Sequence, residues 1–195
     1  MKVAVLASGN GSNFEVIAQA FKDQKIAGEL VLLFSDHRDA YVLERGKKFD
    51  IPCESFELKE FTDKRSYEAA LLKLLQDYDV ELVVLAGYMR IVGKELLAAF
   101  PQAIINIHPA LLPNFPGLHG IKDAYEAGVS ETGVTIHYVD DGVDTGPIIA
   151  QSRVAVAATD TLESLEEKIH QAEHHLYPQV LAEIVKENHD EKSIN

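Results

Sequence analysis

The sequence has one cysteine, Cys53, in 195 residues. A lone thiol excludes an internal disulfide and suits a reducing cytoplasm. Its expected role is that of a small buried hydrophobe, since nothing around it marks a nucleophile. Basic charge is scarce as well, with 18 Lys plus Arg against 31 Asp plus Glu and a formal charge of -13. Such a mean field repels nucleic acid and anionic membrane, so neither is expected as a partner, and any phosphate must be held by a local device. Long apolar runs are missing. The first, at residues 3–7, meets Ser8-Gly9 too soon for a signal-peptide core or a membrane span, and no later run reaches spanning length. Internal repeats, low-complexity stretches and linker-like shifts in composition are absent too, so one cytoplasmic domain is expected.

What is present is enough apolar material, 47% of residues, for a full core. KVAVLAS reads as a short strand buried on both faces, because it is continuously apolar and ends at a glycine turn. Similar runs recur at 30–35, 82–86 and 103–107, separated by helical patterns at 13–25, 40–49, 64–78 and 93–100. Alternation of this kind predicts an α/β fold with a doubly wound, mostly parallel sheet and helices on both faces. Later, GVTIHYV (133–139) alternates like a half-exposed strand, and a second strand at 147–151 follows the turn-rich DDGVDTG. Leu162, Leu165, Ile169, Ala172 and Leu176 then form one helical stripe, capped by Asp160 or Thr161. Pro178 is expected to kink or end this helix, and the chain after Val185 to fray, with 189–195 a polar tail.

Four features carry candidate chemistry. SGNGSN (8–13) follows the first strand, where glycines let an anion approach backbone N–H groups at a positive helix end; an ordinary turn with Ser12 or Asn13 as N-cap is the simpler alternative. The third glycine of a dinucleotide fingerprint is replaced by Phe14, although Asp36 could still bind a ribose, and no Gly-Lys-Ser/Thr of a P-loop follows. HQAEH (170–174) matches a zinc-binding helix pattern, but three fixed positions in five are unspecific and a polar helix face explains them, so no metal is assigned. Asp140, Asp141 and Asp144 crowd one loop without the alternating spacing of a calcium site and read as turn-forming residues, one of which could partner a histidine. Finally, Asn106 and His108 close an apolar strand before Pro109, Pro113 and Pro116. At the carboxyl edge of a doubly wound sheet, an amide beside a histidine suits oxyanion stabilisation and proton donation.

NIHPALLPNFPGLHG followed by GVTIHYVDDGVDTGPIIAQ, with ASGNGSN, AGYMRIV and AEHHLYP, resembles the phosphoribosylglycinamide formyltransferases, the folate-dependent formyl-transfer family of purine biosynthesis. The resemblance covers essentially the whole chain. It implies a formyltransferase domain over 1–188, with phosphate binding in the N-terminal half and folate binding and catalysis in the C-terminal half. By position it implies a catalytic trio of Asn106, His108 and Asp144. Glycinamide ribonucleotide would be held by Asn10, Gly11, Ser12, Asn13 and Glu173. The co-substrate 10-formyltetrahydrofolate would lie against Met89, Arg90, Ile91 and Val92 and against Asp140, Asp141, Gly142, Val143 and Asp144. Lys64 stands where the family commonly has an arginine, with Arg65 next to it, so either cation could assist. The chain would act as a monomer or homodimer, without metal.

The implied chemistry is attack of the glycinamide amine on the formyl carbon. Asn106 and protonated His108 would donate to the developing oxyanion, Asp144 would support the imidazolium, and ordered water would carry the proton to the departing folate nitrogen. Formyltetrahydrofolate deformylase shares the catalytic blocks but resembles a longer chain with an N-terminal regulatory domain, for which a chain starting at its first strand leaves no room. Methionyl-tRNA formyltransferase carries an added RNA-binding domain, which the charge of -13 also disfavours. A non-catalytic nucleotide-binding module is the alternative of a different class.

Overall fold

The computed structural model describes residues 1–194, with side chains to residue 190. Seven strands form one sheet in the order β3-β2-β1-β4-β5-β6-β7. They are β1 (Lys2–Ala7), β2 (Glu29–Ser35), β3 (Cys53–Ser55), β4 (Leu82–Leu85), β5 (Ile104–His108), β6 (Glu131–Tyr138) and β7 (Ile148–Ala155). The first five pair in parallel, β6 runs antiparallel to β5, and β7 antiparallel to β6. This is the expected doubly wound, mostly parallel α/β sheet.

Strand alternation feeds two cores. Val3, Val5 and Ala7 of β1 pack on one face, while Ala4 and Leu6 pack on the other. The first face is covered by α1 (Ser12–Lys22), α2 (Tyr41–Lys48) and α6 (Leu162–Ile194), which bury Phe14, Ile17, Val42, Ile169 and Leu181. α3 (Lys64–Asp77) and α4 (Lys94–Ala99) cover the second through Tyr67, Leu71, Leu75 and Leu96. Burying such side chains contributes about 1.5–3 kcal/mol each, which is why both faces of the central strands are continuously apolar. Among the described residues no helix is long and apolar enough to cross a membrane.

Three elements depart from expectation. β3 and the short α5 (Gly120–Glu126) were not foreseen. α6 continues past Pro178 as one helix, so residues 189–194 of the expected polar tail are helical and Asn195 lies outside the described residues. Pro178 removes one helical hydrogen bond, but Val180, Leu181 and Val185 beyond it are buried in the core, and that packing outweighs the lost bond. The start of α6 is set as expected at Thr161, whose Oγ1 accepts the Ser164 amide while Ser164 Oγ accepts the Thr161 amide.

Tyr177 fixes α6 against the sheet. It is fully buried, and its hydroxyl lies 2.8 Å from the Leu85 carbonyl, to which it donates, and 3.4 Å from that of Ile105. Burial drives its pKa well above the ordinary tyrosine value, so it stays a neutral donor.

Candidate active site

The strand order reverses between β1 and β4, the point where parallel sheets open a crevice at their carboxyl ends. β1 runs there into Ser8–Asn13, and the Ser8 amide donates to the Gly87 carbonyl across the opening. Gly11 sits in the left-handed region (φ +80°), and a Cβ on it would fall 2.2 Å from Val42 Cγ2, so both backbone and space demand glycine. Gly11 also precedes the first turn of α1 as its cap residue, where the ordinary-turn alternative had Ser12 or Asn13, and no side chain caps the helix. The first amides of α1 are left to meet a ligand at the positive end of the helix dipole.

Asn10, Gly11, Ser12 and Asn13 line a cleft of about 410 Å³ together with Glu173. Glu173 Oε2 accepts from Asn13 Nδ2 at 3.3 Å and lies 3.0 Å from His170 Nδ1. The hydrogen bond to Glu173 raises the His170 pKa against the opposing effect of burial. Glu173 is therefore tied to the glycine loop, and among the described residues no third ligand gathers with His170 and His174. Asp36, the ribose candidate of the dinucleotide alternative, is buried with Arg90 Nε 2.7 Å from its Oδ2.

A second pocket of about 450 Å³ adjoins the first and shares Gly87, Met89, Ile107 and Pro109 with it. Met89, Arg90, Ile91 and Val92 line it, as do Asp140, Gly142, Val143 and Asp144. Asp140 Oδ1 accepts the Gly142 amide at 3.0 Å and the Thr145 hydroxyl at 2.7 Å, the turn-forming role expected of this loop. Asp141 and Lys64 are not in this wall. Lys64 opens α3 and faces Glu68 at 3.8 Å, while Arg65 pairs with Glu95 at 3.1 Å, so the structure brings neither cation to the pocket.

Asn106 and His108 line the second pocket from β5, on the sheet face that carries Ile104. Strand pairing sets Asn106 opposite His137 and His108 opposite Thr135. Asn106 Nδ2 and His137 Nε2 are 3.3 Å apart, and His137 Nδ1 donates to the Tyr138 carbonyl at 2.8 Å. Asp144 closes the group: Oδ2 is 3.4 Å from His108 Nδ1, Oδ1 is 3.5 Å from His137 Nε2, and the Gly117 amide donates to Oδ2 at 2.8 Å. Burial alone would raise the Asp144 carboxyl. The His137 hydrogen bond, the Gly117 amide and the charges of His108 and His137 outweigh it and hold the group below the usual carboxylate range.

His108 Nε2 donates to the Phe115 carbonyl at 2.7 Å, so both ring nitrogens face acceptors. Phe115 (φ +52°) and Asp144 (φ +54°), which supply those acceptors, are both held in left-handed backbone. Non-glycine residues pay about 1–3 kcal/mol for such conformations, and they concentrate at functional sites. Gly120 makes the approach possible, since a Cβ there would lie 3.0 Å from His108 Nε2. Thr135 steadies the proline segment: its hydroxyl donates to the Ala110 carbonyl at 2.7 Å and accepts the Leu112 amide at 3.0 Å.

The formyl transferase family model matches residues 1–181. The chain belongs to the formyl transferase family. Phosphoribosylglycinamide formyltransferase of Bacillus subtilis is 47% identical over 94% of this chain and 94% of its own length. The crystal structure of phosphoribosylglycinamide formyltransferase from Streptococcus pneumoniae superposes with a TM-score of 0.88 at 55% identity, covering 94% of this chain and 98% of that one. Glycinamide ribonucleotide transformylase 1 from Symbiobacterium toebii gives 0.93 at 41% identity, over 95% and 88%. Family and fold expected from the sequence are both borne out.

His137 is one of the residues of the second pocket that sequence reasoning passed over. Its place in the alternating GVTIHYV strand puts it on the same face as Thr135. That it meets Asn106 follows from the β5–β6 register, which periodicity within one strand does not reveal.

Proposed function

We propose that the two adjoining pockets receive two substrates, glycinamide ribonucleotide on the glycine-loop side and 10-formyltetrahydrofolate on the Asp144 side. The chain transfers the formyl group from the folate to the glycinamide amine, giving formylglycinamide ribonucleotide and tetrahydrofolate in purine biosynthesis. The observation that carries this reading is the shared wall of Gly87, Met89, Ile107 and Pro109, beside which Asn106, His108 and Asp144 gather. A donor in one pocket and an acceptor in the other would meet there.

The phosphate would be met by backbone and side-chain donors of Asn10–Asn13, and Glu173 would accept from the sugar hydroxyls. Met89–Val92 and the loop of Asp140, Gly142, Val143 and Asp144 would enclose the pterin. Lys64 and Asp141 stand outside this assignment.

The amine nitrogen bonds to the formyl carbon as negative charge builds on the formyl oxygen. Asn106 Nδ2 and His108 donate to that oxygen, His108 exchanging the Phe115 carbonyl for it, while Asp144 faces the other ring nitrogen. The bond from the formyl carbon to the folate nitrogen then breaks, and the proton lost by the amine reaches that nitrogen through water. An absorbance assay for tetrahydrofolate, run with and without glycinamide ribonucleotide, tests the reading. Product that depends on the ribonucleotide is expected; release independent of it would mean hydrolysis, and tight NAD binding without formyl transfer would mean a non-catalytic module.

A further inference from the structure

Among the described residues lining the glycine-loop pocket, the ionisable ones are His37, His170 and Glu173, and neither lysine nor arginine contributes. A phosphate there would be met by aimed dipoles beside a carboxylate in a chain of charge -13, so the orientation of those dipoles decides the affinity. Arg45 holds the loop without itself lining the pocket. Arg45, on α2, donates from Nε to the Asn10 carbonyl at 2.9 Å and from Nη2 to Asn10 Oδ1 at 2.8 Å. Its third nitrogen pairs with the Glu15 carboxylate, and its planar group lies 5.0 Å over the Tyr41 ring. The side chain is only 16% exposed.

A guanidinium donates and never accepts, so the Asn10 atoms it touches must both be oxygens. That fixes the amide: with Oδ1 turned toward Arg45, the Nδ2 hydrogens are left for the pocket that Asn10 lines, and the main-chain carbonyl is engaged by Arg45 Nε. We propose that Arg45 is a positioning residue for phosphate recognition, turning Asn10 into a face of donors, with its own charge balanced by Glu15. The proposal rests on the reading that this pocket takes the ribonucleotide phosphate.

The test measures formyl transfer by wild type, Arg45→Met and Arg45→Lys to glycinamide ribonucleotide and to the ribonucleoside lacking the phosphate. By the strength of bidentate charge-assisted contacts, Arg45→Met is expected to raise KM for the ribonucleotide about tenfold. The kcat, the folate KM and kcat/KM for the ribonucleoside stay as in wild type. Arg45→Lys recovers only part, because an ammonium cannot bridge both oxygens in the plane. Equal losses on both acceptors, a parallel change in folate KM, or no change would overturn the proposal; if Arg45→Met does not fold, Arg45→Lys is judged by the same ratio. Should wild type transfer no formyl group, the functional reading fails separately. Arg45 is then judged by calorimetric titration of wild type and variant with glycinamide ribonucleotide, where about tenfold weaker binding supports it, and equal affinity, including none for either, overturns it.

Discussion

In the pocket beside β1 a local loop supplies an uncapped helix start, a glycine in left-handed backbone, and amide side chains held by Arg45 and Glu173. In the pocket beside β5 it consists of long-range side-chain pairs, Asn106 with His137 and Asp144 with two histidines, brought together by three separate segments. Six consecutive residues, Ser8–Asn13, supply the glycine loop of the first pocket, and Glu173 of α6 reaches it across the fold. The second exists only after β5, β6 and the loop at 140–144 have assembled. A dipole-lined pocket suits uniform binding of an anion, whereas groups aimed at one reacting oxygen suit differential stabilisation of a transition state.

Substitution should separate these roles. The largest effect is expected at the side-chain pocket: Asn106→Ala, His108→Ala and Asp144→Ala should each lower kcat by about a hundredfold or more, as loss of an oxyanion donor or its support does elsewhere. Tetrahydrofolate formation at saturating substrates reads this, and near-normal turnover in all three would erase the contrast between the pockets. An intermediate effect is expected at the main-chain pocket. Gly11→Ala places a methyl 2.2 Å from Val42 Cγ2 in backbone that disfavours it, and a strained left-handed residue of this kind should cost on the order of 1–3 kcal/mol. Urea unfolding should show that loss together with a raised KM for the ribonucleotide, while the folate KM holds.

The smallest effect concerns His170, whose pKa is raised by Glu173. A raised value in the folded state means that the contribution to stability is complete below the unfolded histidine value of about 6.5 and is lost as pH rises through the raised one. Wild type and His170→Gln should therefore differ in urea midpoint at pH 6 and converge by pH 9. The half-exposed ring limits the gap to less than about 1 kcal/mol. A gap that grows with pH would show that the pairing with Glu173 does not govern this part of the pocket.

The two pockets also differ in how far sequence could describe them. The strand and helix alternation, the glycine loop and the Asn106/His108 pair are local patterns, and the structure places each close to where periodicity put it. β3 escaped because three residues of mixed polarity carry no period, and α5 because its buried positions, Gly120 and Ala124, form no apolar stripe. Pro178 does not end α6 because tertiary burial beyond it overrides a local preference. His137 was hidden in strand register. Arg45 reads in the sequence as one more surface cation on a short helix, and its hold on Asn10 spans 35 residues of chain.

Tyr177 has one more consequence. It lies one helical turn beyond Glu173, and its hydroxyl spans the carbonyls of Leu85 and Ile105, immediate neighbours of Ala86 and Asn106. The helix that carries Glu173 is thereby gauged against β4 and β5 at the two pockets. The placing of Glu173 relative to Ala86 and Asn106 is consequently set through the folded core, in the packing around Tyr177.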